Sequence, residues 1–181
     1  MNRHERRKQK KININNNSSQ NELLKAIQFH FKKDFVNAET LYKKVITLDP
    51  NNYDAIRHLG ILKQDQGNYE EAYNNYLMCI KIKPNGFEAL NNLGGVHVRN
   101  KNYQLALKCF NRSYEINQSY VPTINNLASL YHKLKRPMEA LEMSSKALEY
   151  QPNNLITLNQ HAKALILNND IKEAIKLLEK Y

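Results

Sequence analysis

Residues 87–118 read FEALNNLGGVHVRNKNYQLALKCFNRSYEINQ, two amphipathic stretches of helical period joined by a polar turn. Ala106 stands where the second stretch must touch the first. Counting in steps of 34 residues along the chain from it lands on Ala38, Ala72, Ala140 and Ala174. A second series keeps the same beat: Ala26, Gly60, Gly94, Ala128 and Ala162. Two rows of small residues in phase over five cycles mark a helical repeat array.

Numbered 1 to 34 within each copy, the units are 19–52, 53–86, 87–120, 121–154 and an incomplete 155–181. Small residues at positions 8 and 20 let two helices approach closely. Larger ones fill the space around them: Leu59, Leu93 and Leu127 at position 7, and Tyr42, Tyr76 and Phe110 at position 24. In the second unit the spacing predicts a first helix over 53–66 and a second opening at Tyr69. Glu70 and Glu71 fall in its first turn, at the positive end of the helix dipole. Pro50, Pro84 and Pro152 end the second helices, because proline cannot continue one; Gln118 replaces it in the third unit. Pro137, at position 17, is expected as the first residue of a helix, where its missing N–H costs nothing. No single pair buries both faces, so the fold class expected is all-α, with neighbouring pairs stacked.

The 34-residue period, Leu-Gly or Leu-Ala at 7–8, Ala at 20, an aromatic at 24 and Pro at 32 together resemble the tetratricopeptide repeat. The resemblance covers about residues 19–181. It implies an α-solenoid, a right-handed superhelix of antiparallel helix pairs. The family's aromatic at position 4 is replaced here by Glu22, Ile56, Leu90, Ile124 and Leu158. The first unit departs furthest, with Lys25 at position 7.

Positions 4, 7, 8 and 11 of each first helix form its packing stripe. A shift of two residues turns by about 200°, so positions 2, 5, 6, 9 and 13 are expected to face the other way. By resemblance this second stripe lines a concave groove that holds an extended peptide or partner protein. The groove residues expected are Arg57, His58, Asn91, Asn92, Arg99, Asn125, Asn126, Lys133, Asn159 and Gln160. Each carboxamide carries an acceptor and two donors and so can pair with both the N–H and the C=O of a peptide. Arg57, Arg99 and Lys133 would select acidic character. Asn92 and Asn126 resemble the asparagine ladder in the repeat domain of O-linked N-acetylglucosamine transferases. Chaperone-binding members clamp a carboxylate with a Lys/Asn pair, but the first unit carries Leu23 and Ile27 there.

The formal net charge is +10, and half of it sits in residues 1–11, where six Lys/Arg oppose Glu5. Residues 1–18 are therefore read as a disordered basic tail and an Asn/Ser linker, with contact to nucleic acid or an anionic surface as a minor role. The two cysteines, Cys79 and Cys109, form no CxxC pair, which fits a reducing, cytoplasmic setting and neither a disulfide framework nor a zinc site. No glycine-rich phosphate loop, HExxH or GxSxG occurs, so no catalysis, cofactor or metal is expected, and His97 and His161 fall on packing positions. The chain stops at Tyr181, leaving Leu177 and Leu178 without a covering helix. That points to fraying, self-association through the uncapped helix, or a longer protein. In the last case the repeats would present substrate to a transferase: a glycosyltransferase of the O-linked N-acetylglucosamine type, or less readily a sulfotransferase or methyltransferase.

Overall fold

The structure, a computed structural model, describes residues 19–179 together with Glu5. Apart from Glu5, the basic tail and linker lie outside the described residues, as does Tyr181. Every described element is helical. Helix α1 covers residues 19–31. It is followed by α2 (Phe35–Leu48), α3 (Tyr53–Asp65), α4 (Tyr69–Ile82), α5 (Phe87–Arg99), α6 (Tyr103–Ile116), α7 (Val121–Lys133), α8 (Pro137–Tyr150), α9 (Leu155–Leu167) and α10 (Ile171–Glu179). The fold class is thus all-α, of the solenoid type built from antiparallel pairs. Helix α3 ends at Asp65, one residue short of the span expected, while α4 opens at Tyr69 and α8 at Pro137.

The chain divides into two compact units, Met1–Pro84 and Asn85–Tyr181. In the first, Ala26, Ala38, Tyr42, Leu59 and Leu62 form one buried cluster. In the second, Ala106, Phe110, Ile124, Leu127 and Ala147 belong to another. The small residues at position 8 have a steric reason. A Cβ on Gly60 would meet Tyr76 Cε1 at 2.6 Å, and one on Gly94 would press still closer on the Phe110 ring. Tyr76 and Phe110 at position 24 therefore occupy the space that a side chain at position 8 of the partner helix would need.

Lys63, on the packing stripe of α3, is only 6% exposed. Its ammonium reaches Glu39 of α2 at 2.8 Å and Glu71 of α4 at 3.1 Å. Burial alone would lower its pKa, but the two carboxylates outweigh that and raise it, so the charge is kept and ties three helices together.

One backbone feature recurs in every repeat. Lys33, Gly67, Lys101, Lys135 and Asn169, all at position 15, have φ between 59° and 82°. Each closes the first helix of its pair by the same two bonds. In the third repeat Lys101 N donates to Val98 O at 3.0 Å and Asn102 N to His97 O at 2.9 Å, a Schellman ending. A side chain in this left-handed region costs about 1 kcal/mol relative to glycine. Lys101→Gly is accordingly expected to stabilise the protein by roughly 0.5–1 kcal/mol, raising the midpoint of thermal unfolding by about 2–4 °C. Calorimetry of the variant checks this, and a lower midpoint would contradict the turn assignment.

Candidate functional site

In the second unit the first helices of successive repeats, α5, α7 and α9, pack side by side, and a polar ladder runs between them. Asn91 at position 5 of α5 is 6% exposed. Its Oδ1 accepts from Thr123 Oγ1 at 3.1 Å and from Asn126 Nδ2 at 2.8 Å, and its Nδ2 donates to Asn92 Oδ1 at 3.3 Å. One repeat on, Asn125 Nδ2 donates to Thr157 Oγ1 at 3.1 Å. Asparagine at position 5 thus meets threonine at position 3 of the following repeat, twice in succession. Ser113 joins the ladder from α6: its hydroxyl donates to Phe87 O at 2.8 Å and lies 2.7 Å from Thr123 Oγ1.

In this unit α5 and α7 are each covered by their own partner and also by the next first helix, so their buried arc is wider than the 4-7-8-11 stripe. Asn91 therefore lies inside the ladder, and Asn125 is half-buried and turned to Thr157. Asn92 and Asn126 are half-buried at the rim of the arc. Asn92 Nδ2 has no acceptor and Asn125 Oδ1 no donor among the described residues. Arg99, Lys133 and Asn159 are exposed, and Gln160 is half-buried. Lys163 of α9 is exposed as well, and a Cβ on Gly95 of α5 would meet open space.

The other expected residues belong to the first unit. Arg57 Nη2 lies 3.1 Å from His58 Nε2 and 3.4 Å from Asp54 Oδ1. Because the guanidinium can only donate, His58 Nε2 accepts and the ring proton sits on Nδ1. Burial, with Arg57 beside it, brings the His58 imidazole down to about 4, so it is neutral at pH 7. Its ring stacks on Tyr42 with 6.0 Å between centroids. Burial pushes the Tyr42 phenol up to about 12, so that group is a neutral hydroxyl, 3.4 Å from His30 Nδ1. His30 Nε2 in turn lies 3.0 Å from Asp65 Oδ2.

His30 and His58 share a cavity of about 720 Å³ with Ile27, Phe31, Phe35 and Ile61, rimmed by Lys33 and Asp65. Phe31, the last residue of α1, is 87% exposed. Neither Phe31 nor His30 stands out by periodicity. The signal present was a phenyl group at position 13, which holds Asp65, Arg99 and Lys133 in the next three repeats.

The histidines on packing positions are buried or partnered: His97 is buried, and His161 Nδ1 lies 2.9 Å from Ser144 Oγ. Cys79 donates weakly to Tyr53 O at 3.5 Å, and burial pushes its thiol up to about 12. Cys109 is also raised by burial. Neither thiol is activated as a nucleophile. Among the described residues no group of His, Cys, Asp or Glu could hold a metal ion, and no helix is long and apolar enough to cross a membrane.

Family models described as tetratricopeptide repeat match residues 41–74, 87–120 and 121–154, and one described as TPR repeat matches 63–101. No curated protein sequence matches the chain. Among solved structures, MamA is 23% identical with a TM-score of 0.70, the match covering 90% of this chain and 88% of that one. Pseudomonas aeruginosa PilF is 18% identical with a TM-score of 0.83, over 91% of this chain and 75% of that one. YrrB, described as a TPR protein with an unusual peptide-binding site, is 18% identical with a TM-score of 0.65, over 88% and 82%.

Proposed function

Because this chain is built of tetratricopeptide repeats, we propose that it is a non-catalytic interaction module whose second unit holds an extended, acidic segment of a partner protein across α5, α7 and α9. The observation that carries this reading is the composition of that surface. Arg99, Lys133 and Lys163 stand around the half-buried carboxamides of Asn92, Asn126 and Gln160, with open space over Gly95. Cations attract carboxylates from a distance, and the carboxamides supply backbone partners that do not depend on sequence. Asn91 has a different part: by accepting from both Thr123 and Asn126 it fixes the spacing at which those partners recur. YrrB, with its peptide-binding site on the same fold, is consistent with a peptide ligand.

A reducing, cytoplasmic setting suits the two free thiols. Exposed Ile171, Ile175 and Leu178 on α10 offer an apolar face for self-association.

Lys133→Glu with Lys163→Glu is expected to weaken binding of a fluorescein-labelled Glu-rich peptide by roughly tenfold at low salt, and by less as salt screens the charges. Fluorescence anisotropy measures this. Helicity should stay unchanged, since both side chains are exposed. Equal affinity for wild type and variant would count against the reading.

A further inference from the structure

Antiparallel pairing sends each turn inside a repeat to one edge of the second unit and each connection between repeats to the opposite edge. The two edges differ in charge. The connections, residues 85–87, 117–121 and 151–156, hold no Lys, Arg, Asp or Glu, although Leu155 and Ile156 are exposed there. The turns of the third and fourth repeats, residues 99–105 and 131–139, hold five Lys/Arg and one carboxylate. That carboxylate, Glu139, is taken: it accepts from Arg136 Nε at 2.7 Å. Lys101 and Lys135 have no carboxylate within ion-pair distance among the described residues. They hold the same place in their turns, with φ of 60° and 59°. Both therefore leave the backbone in one direction, about 10 Å apart, the spacing of neighbouring helices. One turn deeper, Lys108 is exposed and Glu142 is paired with Lys146. The basic stretch ends at the fifth repeat, whose turn sets Asp170 and Glu173 against Lys172.

Two large aliphatic side chains stand beside these cations, each in the first turn of a second helix. They are Leu105 of α6, 45% exposed, and Met138 of α8, 67% exposed. This pairing discriminates between anionic partners. Nucleic-acid bases stack on free aromatic faces. Here the Arg136 guanidinium lies over the Tyr131 ring, 4.8 Å from its centroid, and Tyr103 is half-buried. An anionic bilayer offers headgroup charge with hydrocarbon beneath it, and so takes both kinds of side chain at once.

We propose that this edge of the second unit docks on an anionic membrane surface. Lys101 and Lys135 meet the lipid headgroups, while Leu105 and Met138 enter the boundary between headgroups and acyl chains. None of the four is among the residues offered to the peptide, so docking and peptide binding can fail separately. Residues 1–11 are also drawn to an anionic surface, so the test must read contact at the edge itself.

The chain contains no tryptophan, so Met138→Trp places a single reporter on this edge and Gln118→Trp one on the opposite edge. Both replace exposed side chains. Each full-length variant is titrated with vesicles of equal parts phosphatidylcholine and phosphatidylserine, with phosphatidylcholine vesicles, and with oligouridylate. The Met138→Trp emission should shift to the blue on the phosphatidylserine vesicles alone, and the Gln118→Trp emission on neither. In the Met138→Trp background, Lys101→Asn with Lys135→Asn should weaken vesicle binding by about tenfold or more at low salt, since each cation at such a surface contributes about fivefold. Asparagine already holds this place and a positive φ at Asn169, so unaltered circular dichroism is expected. Leu105→Gln should weaken binding further.

An equal shift from both reporters overturns the docking edge, because contact would then have no orientation. So does vesicle binding that is lost on deleting residues 1–11 yet indifferent to Lys101 and Lys135, which assigns it to the tail. Lysine-dependent binding of oligouridylate with a silent reporter on vesicles gives the edge to nucleic acid and overturns it as well. If vesicles fail while the Glu-rich peptide still binds through Lys133 and Lys163, only the docking edge falls. If the peptide fails and vesicles bind, only the interaction reading falls.

Discussion

Ala106→Arg is expected to abolish cooperative folding of the second unit, with a loss of about 4 kcal/mol or more. Ala106 is fully buried, at the crossing of α6 with α5, within the cluster that holds Phe110 and Leu127. A guanidinium there has neither room nor a carboxylate partner in that cluster. The helices would have to separate, and separation exposes the apolar faces that hold them. Urea denaturation followed by circular dichroism checks the outcome. An unchanged transition would mean that position 20 is not the contact point and that the 34-residue register is misplaced.

Phe110→Ala comes second, at about 3–5 kcal/mol, the usual range for emptying a buried phenyl site. What makes it informative is its coupling to Gly94. Gly94→Ala alone should cost about 1–3 kcal/mol, because the new methyl group collides with the Phe110 ring and the ring has packed neighbours behind it. With the ring removed, the same substitution should stabilise by up to about 1 kcal/mol, since alanine is the better helix former and part of the void is filled. The sign change in a double-mutant cycle is the test. Additive effects would show that the glycine serves something other than the aromatic.

The period, the pair boundaries and the small-to-large contacts were legible in the sequence because each is a direct consequence of residue volume. Gly60, Gly94, Ala106 and Pro137 stand where packing or helix ends demand them. The turn at position 15 was legible at Gly67 and more weakly at Asn169, the two residue types that favour the left-handed region, whereas lysine at the other three places gives no hint of a positive φ. The expected groove was harder to read. Helical rotation places Asn91 and Asn92 on one stripe, but it does not say that the next first helix covers part of that stripe. Thr123 and Thr157 carried that information, as hydroxyls at a position that is alanine in the two repeats before them. The cavity beside Phe31 depends on how three helices meet, which no single period encodes.

The asparagine–threonine ladder also bears on how such a chain can grow. The third repeat offers Asn91 forward but has Ala89 where an incoming partner would need a hydroxyl. The fourth holds both halves, Thr123 donating back to Asn91 and Asn125 donating forward to Thr157. A tandem copy of residues 121–154 would therefore repeat the asparagine–threonine pairing, whereas a copy of residues 87–120 would lose the threonine hydroxyl at each junction and keep only an amide–amide contact like that of Asn126 with Asn91, through Asn92 at position 6. The fourth repeat is a self-compatible tile, and lengthening by duplication is least disruptive there.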